Sequence, residues 1–140
     1  MTTGSGLRDV LFPAGSSGKA DAGEKVSSSV DSKTGVHVFS LYGAPKDAPD
    51  KEEMAKFDIL VTDIQDVGIR FYTYYITMMR LMDRCAEYGK RMVILDRPNP
   101  NGFYVDGPLL DMKYASGVGA LPIPVVHGMT LGELARMING

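Results

Sequence analysis

"DILVTDIQDVGIRFYTYY", residues 58–75, is the stretch on which the fold turns. Ile59-Leu60-Val61 lies in a near-continuous apolar run, 57–64, the pattern of a strand covered on both faces of its sheet. Asp63, Gln65, Asp66 and Arg70 follow at once, so polar groups with strong bonding demands stand where the strand ends. A helical pattern then covers 71–88. Tyr75, Met78, Met79, Met82, Cys85 and Ala86 share one face, while Arg80, Asp83, Arg84 and Glu87 fall opposite. Gly89 is placed as a C-terminal stop. "RMVILD", 91–96, is a second apolar strand. Strand, helix, strand predicts a βαβ unit with its two strands parallel.

Upstream, "VHVFSLY", 36–42, reads as a strand, and "PDKEEMAKF" starts a short helix capped by Asp50. Residues 1–35 are rich in Gly, Ser, Lys and Asp and read as a loop-rich or partly disordered lead-in to an α/β domain over 36–140. Downstream, "RPNPNGFYVDGPLLD", 97–111, is an excursion too long for a plain turn. "IPVVH", 123–127, is expected to be a third short strand. Thr130 and Glu133 form a capping box with Met129 and Leu134 as its hydrophobic staple, and the helix they open runs to Gly140. The fold class is therefore α/β, a parallel sheet with helices on both faces. So few strands make the sheet incomplete, and the chain reads as a piece of a larger protein.

A length of 140 residues allows one domain with a modest core, and a net charge of −2 gives no footprint for nucleic acid or an anionic membrane. No apolar run approaches the roughly 20 residues of a membrane span. The first six residues carry neither the basic start nor the apolar stretch of a signal peptide. Cys85 stands alone, so there is no internal disulfide, and it reads as a buried apolar residue. With only Cys85, His37 and His127 available, a Cys/His zinc site lacks ligands.

Ligands of open α/β sheets bind at the carboxyl ends of the strands. Three strand ends here carry Asp63, Gln65 and Asp66; Asp96, Arg97 and Asn99; and His127. Each has a plainer reading. Asp66 and Arg70 suit a local i,i+4 pair, Asp96 suits a turn cap, and His127 suits a satisfied buried histidine. Their convergence on one rim favours a site. Neither G-x-G-x-x-G, nor a P-loop, nor a G-x-S-x-G elbow occurs. Carboxylates, an amide, arginines, tyrosines and a histidine suit sugar recognition and glycosidic hydrolysis, in which one carboxyl group serves as acid and another as base or nucleophile. Arginine suits a substrate carboxylate.

"DILVTDIQDVGIRFYTYY", "VILDRPNPNGFYVDGPLLD" and "LPIPVVHGMTLGELARMING" resemble, in order over about residues 19–140, the DUF1343 family, whose characterised members are exo-β-N-acetylmuramidases of the NamZ type. The resemblance implies a Rossmann-like domain followed by a smaller second domain, which is absent here. It also implies release of N-acetylmuramic acid from the non-reducing ends of peptidoglycan fragments, no metal or organic cofactor, and a bacterial periplasmic or secreted setting. It carries over Asp63, Asp66 and Asp96 as catalytic candidates, with Gln65, Arg70, Tyr72, Arg97, Asn99 and His127 as substrate-binding candidates. Arg70 or Arg97 would hold the lactyl carboxylate. The family also carries an S-P-E-H-G-like segment with a glutamate suited to catalysis. Here the corresponding residues are Leu11-Phe12-Pro13-Ala14-Gly15-Ser16-Ser17-Gly18, and Glu24, a nearby carboxylate past the matched gap, is a weak substitute. A non-catalytic module binding a muramyl sugar or a protein partner is thus a second reading. An unrelated nucleotide-binding α/β domain is a third, without its phosphate loop.

Overall fold

A computed structural model describes residues 9–12, 29–30, 32, 35, 37–40 and 48–140. Strands β1 (Asp9–Phe12) and β3 (His37–Ser40) pair in parallel, and β2 (Ser29–Val30) pairs antiparallel to β3. Both β1 and β2 fall within 1–35, the stretch expected to be loop-rich, and β3 answers to the strand expected at 36–42. Residues 13–18 and Glu24 lie outside the described residues.

The βαβ unit is present. Strand β4 (Ile59–Thr62) pairs in parallel with β5 (Arg91–Ile94) in the register Leu60 to Met92 and Thr62 to Ile94. Leu95 N–H donates to Thr62 C=O at 2.9 Å, carrying the ladder past the strand end. Helix α2 (Tyr74–Glu87) crosses between the two strands. It ends in a Schellman motif, with Gly89 at φ +62° and Lys90 N–H donating to Cys85 C=O at 2.8 Å. Helix α1 (Lys51–Met54) has the capping box of Asp50 and Glu53, and α3 (Leu131–Asn139) that of Thr130 and Glu133.

Two apolar clusters seat these elements. Tyr75, Ile76, Met78, Ile123, Leu131, Leu134 and Ala135 form one, with Met129 packed against it as the staple requires. Met54, Phe57, Leu60, Leu81 and Cys85 form the other. Ile76 and Leu81 belong to the buried face of α2, while Ala86 is exposed. Each such side chain withdrawn from water contributes about 1.5–3 kcal/mol. These contacts cover the face of β4 and β5 that carries Leu60 and Met92. The opposite face leaves Val61 and Val93 41% and 43% exposed, so the strands are covered on one side, contrary to the two-sided cover read from the apolar run.

The strand expected at 123–127 does not form. Pro122 and Pro124 bring no N–H to a ladder, and Val126 instead makes isolated antiparallel bridges to Ile69 and Asp106. Among the described residues no helix is long and apolar enough to cross a membrane.

Candidate functional site

The carboxyl ends of β4 and β5 are neighbours in the register, so the residues just past them meet. Arg97 donates from Nε to Asp63 Oδ1 at 2.7 Å, and its Nη2 lies 2.5 Å from the same oxygen. Both side chains are 48% exposed, so the pair itself is worth no more than about 1 kcal/mol. Its place matters more: a charged fork is held at the rim, open to solvent. The loops behind it are tied together. Gln65 Nε2 donates to Asp66 C=O at 2.6 Å and to Pro98 C=O at 3.1 Å. Asn101 Nδ2 donates to Val67 C=O at 2.8 Å. Asn99 accepts from Asn101 N–H at 2.8 Å and donates to Met129 C=O at 3.0 Å, which joins the third loop to the other two. Gly68, at φ +72°, lies against Asn99. A Cβ there would come within 2.2 Å of the Asn99 amide.

Asp66 and His127 sit beneath this rim, 6% and 4% exposed. Asp66 Oδ1 accepts from Gly68 N–H at 2.7 Å, and Gly68 C=O accepts from His127 N–H at 3.3 Å. His127 Nδ1 accepts from Met129 N–H at 3.2 Å. Burial pushes the Asp66 carboxyl up from the ordinary 3.8, opposed by the Gly68 N–H and by His127. Burial pushes His127 down from 6.5, opposed by Asp66. Asp66 Oδ2, His127 Nε2 and Thr62 Oγ1 are buried without a hydrogen-bond partner among the described residues. Such orphans cost about 1–3 kcal/mol each unless something satisfies them.

The remaining expected residues have other occupations. Asp96 Oδ2 accepts from Thr130 Oγ1 at 2.7 Å and Asp96 Oδ1 from Gly132 N–H at 2.9 Å, so this carboxylate anchors the N-terminus of α3. Gly132 permits the approach, since a Cβ would lie 2.6 Å from Asp96 Oδ2. Arg70 donates from Nη1 to Pro108 C=O at 2.8 Å and Ile123 C=O at 2.6 Å, pinning the excursion rather than pairing with Asp66. Tyr72 is 38% exposed and meets Tyr74 edge-on, with ring centroids 4.9 Å apart.

Asn101, Thr130, Gly132 and Tyr75 were missed as builders of the site. Tyr75 OH accepts from Ala120 N–H at 2.9 Å. Asn101 had a sequence signal in the repeated asparagine of "NPN", and Thr130 had one only as a helix cap. Among the described residues no group of three or more His, Cys, Asp or Glu side chains could hold a metal ion. The rim can hold an anion on Arg97 beside an acceptor, Asp63. Two buried polar side chains, the Asp66 carboxyl group and the His127 imidazole, stand behind it.

The model of the exo-β-N-acetylmuramidase NamZ N-terminal family matches residues 7–140. The chain is 53% identical over 123 residues to the peptidoglycan β-N-acetylmuramidase NamZ of Bacillus subtilis (strain 168), covering 87% of this chain and 30% of that protein. Two crystal structures of DUF1343 family proteins from Bacteroides fragilis NCTC 9343 superpose on it. One has a TM-score of 0.77 at 52% identity, covering 96% of this chain and 42% of the other. The second has a TM-score of 0.73 at 45% identity, covering 79% and 29%. The chain thus spans less than half the length of each of these relatives.

Proposed function

The chain belongs to the exo-β-N-acetylmuramidase NamZ N-terminal family, and from that premise we propose that it is the sugar-recognising α/β part of a glycoside hydrolase. Its substrate would be N-acetylmuramic acid at the non-reducing end of peptidoglycan fragments. The observation that carries this reading is the exposed Arg97–Asp63 pair at the ends of two parallel strands. A muramyl sugar differs from a glucosaminyl sugar by its lactyl ether, which ends in a carboxylate. Arg97 spends Nε and Nη2 on one oxygen of Asp63, and among the described residues its Nη1 makes no hydrogen bond. The free part of the fork receives the lactyl carboxylate, and Asp63 fixes its direction. Asp63 and Asp66 bind hydroxyls or polarise groups near the anomeric carbon. Asp96, Arg70 and Asn99 hold the loops that present them.

A second reading is favoured by one feature of the sequence. Residues 11–18 read "LFPAGSSG" without a Glu-His pair, which suits a module that binds a muramyl sugar without cleaving it. The deciding experiment follows 4-nitrophenol release from a 4-nitrophenyl N-acetylmuramide by this chain and by a form carrying a Glu-His segment there and the relatives' remaining length. The hydrolase reading expects release by the longer form. Release by neither leaves the binding module standing.

A further inference from the structure

The resemblance carries Gln65 over as a substrate-binding residue, yet its amide nitrogen is engaged with backbone. Nε2 has two hydrogens to give. It donates to Asp66 C=O at 2.6 Å and to Pro98 C=O at 3.1 Å. Asp66 is buried, so the strap is firm at that end. Its other end grips the residue after Arg97. Proline also confines the residue before it to extended backbone, so holding Pro98 limits Arg97 itself.

The same arrangement recurs along the two loops. Strands β4 and β5 pair Ile59 with Arg91 and Thr62 with Ile94. Past their ends, side chains continue the parallel register. Asp63 meets Arg97, Gln65 meets Pro98 C=O and Asn101 meets Val67 C=O, partners 33 or 34 residues apart. The Asp63–Arg97 pair is thus one rung of a side-chain ladder, and Gln65 is the rung next to it. A pair as exposed as Asp63–Arg97 is held only weakly by its own attraction, so the neighbouring rung decides where Arg97 points.

The geometry points to Gln65 as a positioning residue rather than a sugar ligand: it aims the Arg97 fork by clamping Pro98 to the loop that carries Asp63. What the fork receives rests on the muramyl reading above, while the clamp on Arg97 does not.

The test compares the chain with Gln65→Met, which keeps the side chain's length and loses its amide. Carbon-detected 15Nε–13Cζ spectra, assigned with Arg97→Lys, report Arg97 Nε whether or not its proton exchanges fast. In the wild type that nitrogen should stand apart from the free-arginine position. In Gln65→Met it should move toward that position, while the Leu95 amide, which closes the β4–β5 ladder, keeps its shift. Calorimetry should show N-acetylmuramic acid bound roughly 3- to 10-fold more weakly, the worth of one neutral hydrogen bond, with N-acetylglucosamine unchanged. An Arg97 Nε that ignores the substitution overturns the inference. Equal weakening of the two sugars overturns it too, because Gln65 then touches the sugar. A Leu95 amide that moves together with Arg97 does the same, since lost packing accounts for both. If Arg97 alone responds and the wild type shows no muramyl preference, the muramyl reading falls and the positioning role stands.

Discussion

Replacing Asp96 with alanine separates an anchoring role from a chemical one. The carboxylate accepts from Thr130 Oγ1 at 2.7 Å, at the N-cap of α3, and from Gly132 N–H at 2.9 Å, in its first turn. Hydrogen bonds to a charged group contribute about 1.5–3 kcal/mol when buried. Asp96 is exposed, so the lower figure applies and the two bonds do not simply add. A negative charge at a helix N-terminus adds about 0.3–1 kcal/mol. Thr130 still caps Glu133 N–H in the variant, so the helix itself survives. The expected loss is about 2 kcal/mol, and with a urea slope of about 2 kcal/mol per molar the midpoint falls by about 1 M. Asp96→Asn keeps an acceptor oxygen but not the charge and should lose about half as much. Urea unfolding followed by far-UV circular dichroism measures both. An Asp96→Ala midpoint equal to the wild type, with muramyl binding lost, would refute the anchoring role and return Asp96 to the sugar.

Other changes test the rim. Gly68→Ala puts a Cβ on Asn99 at a left-handed φ; the strain alone costs about 1–2 kcal/mol and the displaced Asn99–Met129 bond about 1 more, read as a lowered thermal midpoint. Arg70→Met should speed amide exchange at Leu110, whose N–H bonds Ile123 C=O in the segment Arg70 pins, while weakening sugar binding less than Arg97→Glu does. The pH dependence has two opposing parts. His127 titrates below its ordinary 6.5 when folded, so its contribution is complete above pH 6.5 and is lost as pH falls below it. Asp66 titrates above its ordinary 3.8, so its contribution is complete below pH 3.8 and is lost as pH rises toward the folded value. From pH 7.5 down to about 5.5 the stability of the wild type should therefore fall relative to that of His127→Gln; parallel curves for the two would contradict this assignment.

The parts of the fold written in local sequence were legible. The capping boxes at Asp50 and Thr130, the stop at Gly89 and the alternation of strand and helix depend on residues within a few positions of one another. The strand expected at 123–127 had suitable apolar residues, but the prolines beside Ile123 withhold N–H groups, and Val126 pairs across the chain instead. Asp63 and Arg97 meet because the ends of β4 and β5 are neighbours, whereas His127 follows no strand and is buried. The tasks within the rim were less legible. Asp96 finds its partners 34 and 36 residues away, and Arg70 bonds backbone carbonyls, which side-chain identity does not announce. His127 was legible as buried, but its single unused nitrogen follows from the Met129 amide facing the other one.

The most direct measurement is calorimetric titration of the chain with N-acetylmuramic acid and with N-acetylglucosamine, for the wild type and for Arg97→Glu. If Arg97 holds the lactyl carboxylate, the wild type prefers the muramyl sugar. A charge-assisted contact of about 1.5–3 kcal/mol corresponds to a preference of roughly 10- to 150-fold. Arg97→Glu should erase that preference while leaving glucosaminyl binding nearly unchanged. Equal affinity for the two sugars in the wild type, or an equal loss of both in the variant, would contradict the account.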